Sequence, residues 1–192
     1  MRIKKELTLE DFKYMEQLEL KYYSEEHVTP HKEAYQWHLA NPDTSSVLEE
    51  EGRIIGFIDM LPLRKAVIDR ILDGSFNDKY LKADDLVSMD KLREGESVDL
   101  LLSCIVVEKE YRKTGALKML LDDKMAYYRN FVKKGIVIDS IVTSNVTEDG
   151  VRFSERMGFQ RVGTSNHGTA LFRTTFREFD ERVRAMKPKR EG

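Results

Sequence analysis

The chain has 192 residues, of which 41% are hydrophobic and 34% are charged, and its formal net charge at pH 7 is −2. This length and composition predict one soluble folded domain and argue against a disordered chain. The small negative charge argues against a nucleic-acid partner, and no apolar run reaches the roughly 18 residues that a membrane span requires.

The single cysteine, Cys104, excludes an internal disulfide and a cysteine-rich zinc site. It suits a reducing compartment, and no long apolar run follows the first residues, so we expect a cytoplasmic protein without a signal peptide. Cys104 has apolar neighbours in the sequence, where a thiol is unreactive, and this favours core packing over nucleophilic catalysis. The four histidines are spread along the chain, and we expect no metal site.

The first third of the chain predicts a strand, two helices and a β-hairpin. The strand covers residues 3–8, and Thr8 is a suitable N-cap for a helix whose apolar residues recur at three- and four-residue steps. A second helix covers residues 32–40 and ends before Asn41-Pro42. The extended runs 46–50 and 53–60 are joined by Glu51-Gly52, and glycine at that position favours a tight hairpin turn.

Residues 64–97 have no continuous pattern and predict an irregular, partly helical insertion between two strands. Connections of this length are usually functional or mobile. The segment contains six aspartates, so it could cover a site for a cationic substrate such as a polyamine or a basic peptide. A surface contact in an oligomer is the competing interpretation.

The second half of the chain predicts alternating strands and helices. Residues 98–107 form a nearly continuous apolar run, which is typical of a central strand covered on both faces. A turn at 108–115 leads into a helix at 116–133. A strand at 136–143, a helix at 149–157 and a final strand pair at 159–164 and 169–175 follow.

The turn between the apolar strand and the long helix has the features of a diphosphate site. Backbone N–H groups at a helix N-terminus lack helical partners and carry a partial positive charge, so they favour anions. Gly115 permits close approach of the backbone, and Arg112 and Lys113 add full positive charges. By itself this pattern is a weak signal, because most such segments are ordinary connections.

The wider segment Ile105–Leu121 resembles the coenzyme A signature of the GCN5-related N-acetyltransferase (GNAT) family. That signature is a hydrophobic strand, an acidic-aromatic-Arg turn, and Arg/Gln-x-x-Gly-x-Gly/Ala at the start of a helix. Asn145 after the next strand, and a helix that ends in Gly158-Phe159, are similar to a second feature of the family. The order of elements also matches, so the resemblance covers about residues 1–176.

The resemblance implies an α/β (α+β) fold with a mixed, mostly antiparallel central sheet of six to seven strands flanked by helices. Residues 1–176 would form this domain, with the insertion at 64–97, and residues 177–192 would form a basic C-terminal tail. The implied activity is direct transfer of an acetyl group from acetyl-CoA to an amine of a small molecule or peptide, in a ternary complex without a metal. A homodimer formed through the exposed edge of the last hairpin is a further expectation.

Alignment to the signature also implies which residues bind coenzyme A. Strand 98–107 would separate from strand 136–143, so that backbone groups of Ile105, Val106 and Val107 bind pantetheine and polarise the thioester. Asn145 would contact the pantetheine arm. The pyrophosphate would be held by the segment after the strand, namely Arg112, Lys113, Thr114, Gly115, Ala116 and Leu117.

Three residues are considered for proton transfer, two as the base and one at the position of the acid. Asp99 is the preferred base, because period-two alternation places it on the strand face of Leu101, Ser103 and Ile105. A solvated aspartate at the strand end is the competing interpretation, and Glu96 is a second candidate. Ser154 stands where the family often has a tyrosine that protonates the departing thiolate, although a hydroxyl of this kind is a poorer acid than a phenol. Water or another tyrosine would then supply that proton.

Two departures from the family pattern leave alternatives open. Leu117 occupies a position where the signature usually has Gly or Ala, and Ser154 replaces the tyrosine. These departures favour a catalytically weak or silent acyl-CoA-binding module that regulates a partner. A third hypothesis is the transfer of a longer acyl group, which would lie in a groove beneath residues 64–97.

Overall fold

Across residues 1–186, the part of the chain that this computed structural model describes, one seven-stranded sheet carries six α-helices. The strands and helices are, in chain order, β1 Arg2–Lys4, α1 Leu9–Glu19, α2 His31–Ala40, β2 Ser45–Glu50, β3 Arg53–Leu63, α3 Lys65–Leu72, β4 Ser97–Val107, α4 Ala116–Lys133, β5 Val137–Asn145, α5 Glu148–Arg156, β6 Gln160–Thr164, β7 Ala170–Thr175 and α6 Phe176–Ala185.

The strand order across the sheet is β1-β2-β3-β4-β5-β7-β6. Every neighbouring pair is antiparallel except β4 and β5, which run parallel. The sequence-based expectation of a mixed, mostly antiparallel sheet flanked by helices is confirmed. The predicted hairpin is present as β2 and β3, and both residues of its turn, Glu51 and Gly52, have positive φ.

The helices cover both faces of the sheet. Helices α4 and α6 pack on one face, and α1, α2 and α3 pack on the other. Helix α1 begins at the predicted capping box, in which Thr8 and Asp11 cap each other, and it buries Phe12, Met15 and Leu18. None of the helices described between residues 1 and 186 combines the length and the apolar character that crossing a bilayer requires.

A β-bulge in β4 changes which face each side chain occupies. Asp59 pairs with Cys104 and Met60 pairs with Leu102, so Ser103 is an extra residue in β4. Before the bulge Leu100 and Leu102 face α4, whereas after it Cys104 and Val106 face α1 and α2. The predicted period-two alternation is therefore wrong beyond Ser103, because one inserted residue inverts the phase of the strand.

The parallel pairing of β4 and β5 covers only part of their length. The register runs from Ser97 opposite Val137 to Leu101 opposite Val142, and no pairing follows. Strand β4 continues to Val107 and stays paired with β3, while β5 continues to Asn145 and stays paired with β7. The two strands therefore diverge and leave a cleft between their ends.

The insertion at 64–97 is partly helical, as predicted, and is fixed to the domain. After α3 it forms short 3₁₀ turns at Asp78–Tyr80, Ala83–Asp85 and Met89–Lys91. The indole N–H of Trp37 donates to the carbonyl of Leu81 at 3.2 Å, and the amide of Asn41 donates to Val87 at 3.1 Å. These bonds join the insertion to α2 and to the residue that follows it.

The C-terminal segment differs from the prediction. A basic tail is expected from 177 onward, but Phe176–Ala185 forms α6, which begins at a capping box made by Thr175 and Glu178. Phe179 and Val183 are fully buried, and the Phe179 ring packs edge-on against Phe159 with centroids 5.4 Å apart. The sequence hides this helix because six of its ten residues are charged, although its apolar residues recur at helical spacing. Residues 187–192 of the expected tail lie outside the described residues.

We expect Phe179→Ala to lower the free energy of unfolding by about 3–5 kcal/mol, because it leaves a cavity between α6 and the sheet. Denaturant titration of the full chain measures this. Arg177→Ala, at an exposed position of the same helix, is the matched control and should change stability by roughly 0.5 kcal/mol or less. Equal effects of the two substitutions would show that α6 is not part of the folded domain.

Candidate active site

A cavity of about 500 Å³ opens between the diverging ends of β4 and β5. Residues 102–107 of β4 form one wall, and residues 143–145 of β5 form the other. The end of α1, the turn before α4, helix α5 and the insertion contribute the rest of the lining. Beyond Leu101 the edge of β4 that faces β5 has no strand partner, so its backbone N–H groups are open to a ligand, whereas the carbonyls of Ile105 and Val107 accept from Tyr23 and Arg112.

One end of the cavity is built to bind an anion. Gly115 is the N-cap of α4 with φ at 94°, and no side chain caps the helix there. A Cβ atom built on Gly115 meets no atom within 4 Å beyond its chain neighbours, so the space beside this residue is open. Gly115 itself does not line the cavity, which reaches the first turn of α4 at Leu117. The first N–H groups of α4 lack helical acceptors and are available to a phosphate.

Arg112 is fixed beside this helix N-terminus. Its Nε donates to the carbonyl of Val107 at 3.1 Å, and its guanidinium lies over the ring of Tyr22 at 4.6 Å from the centroid. The remaining N–H groups of the guanidinium line the cavity, where they suit bidentate contact with a phosphate. A single fixed arginine and an open helix terminus together can hold a diphosphate.

The other residues of the predicted diphosphate segment have different positions. Lys113 and Thr114 are exposed and do not line the cavity, and the Thr114 hydroxyl donates to the carbonyl of Tyr111 at 2.8 Å. Ala116 is buried in the core, so only its backbone N–H can reach a ligand. Leu117 lines the cavity and also packs against the core, which accommodates its size.

An acidic residue bridges the mouth of the cleft. Asp149 of α5 lies 3.5 Å from Arg112 across the opening and 2.6 Å from Arg152 on its own helix. These side chains are largely exposed, so the pairs contribute little stability. Arg152 and Arg156 also line the cavity, which adds positive charge to the end where α4 begins.

Asn145 and Ser154 form a pair, but only one of them reaches the cavity. The amide nitrogen of Asn145 donates to the Ser154 hydroxyl at 2.8 Å. Asn145 lines the cavity, whereas Ser154 is fully buried behind it and does not. The geometry therefore assigns Ser154 to holding the Asn145 side chain in place.

The structure does not bring the predicted bases to the cavity. Asp99 is buried near the start of β4, where it accepts a hydrogen bond from Ser140 and lies 3.8 Å from Arg173. Because of the bulge at Ser103, the side chains of Asp99 and Ile105 do not lie on the same face of the sheet. Glu96 accepts from the backbone N–H of Arg93 at 2.6 Å in a turn before β4. Neither residue lines the cleft.

Instead, the part of the cavity formed by the end of α1, the segment after it and the insertion carries Glu19, His27 and Asp78. Burial raises the pKa of Glu19 to about 8 and that of Asp78 to about 6. Glu19 follows Met15 by four residues and therefore lies on the buried face of α1. A carboxylate on an otherwise apolar helix face is unusual, and this is the sequence feature that could have identified Glu19 as a site residue. Asp78 gave no signal, since the insertion has no motif.

Tyrosine and cysteine side chains complete the wall near Ile105. The Tyr23 hydroxyl donates to the carbonyl of Ile105 at 3.4 Å, and burial raises the pKa of this phenol, which keeps it protonated at neutral pH. Cys104 is buried, and burial together with the nearby Glu19 raises the pKa of its thiol well above the usual value. A thiol in this state is a poor nucleophile, in agreement with the packing role predicted for it.

Comparison with known proteins assigns this chain to a protein family. The model of the acetyltransferase (GNAT) family matches residues 12–159. The chain therefore belongs to this family of acyltransferases. No curated protein sequence resembles the chain closely enough to count as a match.

Solved structures share the fold at low sequence identity. The loading GNATL domain of CurA from Lyngbya majuscula aligns with a TM-score of 0.65 and 16% identity, covering 92% of this chain and 98% of that one. The GphF GNAT-like decarboxylase in complex with isobutyryl-CoA gives 0.62 and 15%, covering 92% and 100%. The NatC complex bound to Gag peptide and CoA gives 0.55 and 16%, covering 90% and 96%.

We expect Asp99→Asn to lower the free energy of unfolding by about 1–3 kcal/mol, because it weakens the buried contacts with Ser140 and Arg173. The affinity for a ligand of the cleft should stay within about twofold, since Asp99 lies outside the lining. Thermal denaturation and calorimetry measure the two effects. A large loss of activity in a normally stable variant would restore Asp99 as the base.

Proposed function

We propose that the protein is an acetyl-CoA-dependent N-acetyltransferase of the cytoplasm that acts on an amine of a small molecule or peptide. The observation that carries the proposal is the cleft between β4 and β5, which has an open strand edge along one wall and an anion site at one end. This arrangement suits a long thioester that carries a diphosphate.

The donor would lie along the cleft in one direction. Its pyrophosphate would bind the free N–H groups of α4 and the guanidinium of Arg112, displacing Asp149 from that guanidinium. The pantetheine arm would then follow the open edge of β4 at Ile105–Val107 and meet Asn145 on the opposite wall. The thioester would therefore reach the part of β4 near Tyr23.

Structural neighbours support a coenzyme A ligand. The GphF structure holds isobutyryl-CoA, and the NatC structure holds CoA together with a peptide. Both share the fold of this chain, which supports a coenzyme A ligand in its cleft.

The chemistry requires stabilisation of two developing negative charges. A backbone N–H on the open edge of β4 would bind the carbonyl oxygen of the thioester as the amine attacks. The Tyr23 phenol, which stays protonated, would donate a hydrogen bond to the departing thiolate. Ser154 would act only by positioning Asn145.

A silent acyl-CoA-binding module is the second candidate, and the burial of Ser154 favours it, because the usual proton donor is missing. Such a protein would bind coenzyme A as tightly as an enzyme but would not catalyse transfer. Single-turnover assays with acetyl-CoA and a panel of amines separate the two, since only the enzyme forms free thiol faster in the presence of an acceptor.

We expect Arg112→Ala to raise the Kd for CoA about 10–100-fold, because the variant loses charge-assisted hydrogen bonds to the pyrophosphate. Lys109→Ala, at an exposed position outside the cavity, is the matched control and should change the Kd by less than about threefold. Isothermal titration calorimetry measures both. Absence of CoA binding by the unsubstituted protein would refute the proposed function.

A further inference from the structure

The cavity lining carries basic and acidic side chains. Arg112 and Arg152 line it beside the segment that leads into α4 and on α5, whereas Glu19 at the end of α1 and Asp78 of the insertion contribute two carboxyl groups. Ile105 of β4, beside which the thioester would lie, lines the same cavity. A bound ammonium group would stabilise the ionised form of the two carboxyl groups, so they suit a positively charged acceptor.

Glu19 has the environment of a base rather than of a structural ion. The Cys104 thiol lies beside it in the cavity wall, and burial of the Glu19 carboxyl gives it a proton affinity close to that needed at neutral pH. The charged and titratable groups that face it, besides Cys104, are Asp59 of β3, Asp78 of the insertion, Glu16 of the same helix and Tyr23 in the turn after that helix. Among its described neighbours no cation is placed to neutralise it.

A second, smaller cavity lies behind Glu19. Its volume is about 20 Å³, which exceeds the roughly 10–15 Å³ that one water molecule needs. Its polar lining joins Glu19 to the pair formed by Glu16 and His31, which lie 2.6 Å apart and are each 24% exposed. One ordered water would complete a path along which Glu19 could pass a proton to solvent.

Residues 74–81 of the insertion, here called the strap, line the acceptor part of the cavity through Asn77 and Asp78. The N–H of Asn166 in the β6–β7 turn donates to the carbonyl of Gly74 at 3.0 Å, and Lys79 donates to the carbonyl of Glu25 at 2.9 Å. The strap is thus tied to the β6–β7 turn and to the segment that follows α1. An acceptor must fit beneath a fixed segment, which favours a small molecule over a protein chain.

From these contacts we propose that the acceptor is a small cationic amine. Its ammonium group binds between Glu19 and Asp78 beneath the strap, and Glu19 removes a proton from it. The inference rests on the proposed acyl transfer in the same cleft and assigns its substrate class and its base.

The proton balance of the step is complete. Glu19 takes one proton from the ammonium, and the free amine attacks the thioester carbonyl, forming the C–N bond. The C–S bond then breaks, and the thiolate of coenzyme A leaves and takes the second proton released from the nitrogen. The proton on Glu19 passes through the smaller cavity to His31 and solvent, which returns the carboxylate for the next cycle.

An acceptor panel tests the substrate class. The purified full-length protein is mixed with acetyl-CoA and with butylamine, putrescine or spermidine as cations. Aniline, which is largely uncharged at neutral pH, and a tetrapeptide with a free N-terminal alanine are the comparisons. We expect kcat/KM for at least one aliphatic amine to exceed that for both comparisons by about tenfold or more. A preference for the peptide or for aniline overturns the proposal.

Substitutions test the roles of the two carboxylates. Glu19→Gln should lower kcat about 100-fold or more, because it removes the base. Asp78→Asn should mainly raise the KM for the amine, by about tenfold. Glu10→Gln on α1 and Asp84→Asn in the insertion remove the same charges at exposed positions outside the cavity and should leave both constants within about twofold.

The pH dependence of kcat/KM distinguishes a catalytic base at Glu19 from a residue that only supports the structure. In the unsubstituted protein kcat/KM should rise with pH and level off above the Glu19 pKa of about 8, because only the carboxylate accepts a proton. This rise should be lost in Glu19→Gln and kept, with a shifted midpoint, in Glu19→Asp. An unchanged profile in Glu19→Gln refutes the role of Glu19.

The Kd for CoA separates this inference from the proposed function. It should be unchanged in all five carboxylate variants, which also shows that they are folded. If the unsubstituted protein binds no CoA, the proposed function fails. If it binds CoA and acetylates the peptide but no small amine, the function stands and the inference fails.

Discussion

The parallel pairing of β4 with β5 ends at Leu101 and Val142, although both strands continue. Each strand keeps its other neighbour, so the sheet stays intact while its centre opens. The cavity, the open backbone edge and the separation of the two substrate ends all depend on this divergence. Backbone groups left unpaired inside a sheet are costly unless they are hydrated or bound, and a ligand in the cleft supplies the missing partners.

The bulge at Ser103 adapts the central strand to this opening. One extra residue inverts the alternation, so that Cys104 and Val106 pack against α1 and α2 while Ile105 and Val107 face the side of α4. Cys104 can therefore contact Glu19, and Ile105 and Val107 can contribute to the wall that leads to Arg112. The extra residue at Ser103 therefore determines both the contact of β4 with Glu19 and the wall that leads to Arg112.

The sequence predicts local features of this molecule better than distant ones. The turn at 110–117 joins a strand to a helix, so its anion site is encoded in one short segment and is recognisable there. Glu19 and Asp78 meet only because the sheet brings α1 and the insertion to the same opening, and neither segment contains a motif. The bulge was likewise invisible, since Ser103 lies in an apolar run that reads as regular. The choice of Asp99 as the base assumed a regular alternation along β4. In the structure Asp99 instead contacts Ser140 and Arg173, away from the cavity.

The carboxyl groups of Glu19 and Asp78 have a further effect on turnover. Acetylation converts an ammonium into an amide, which carries no charge and makes no ion pair with Glu19 or Asp78. The same carboxylates that attract a cationic acceptor therefore hold its product only weakly. Product release is favoured by the reaction itself, so a rigid strap along the cavity is compatible with repeated cycles, provided that the acceptor is small enough to pass it.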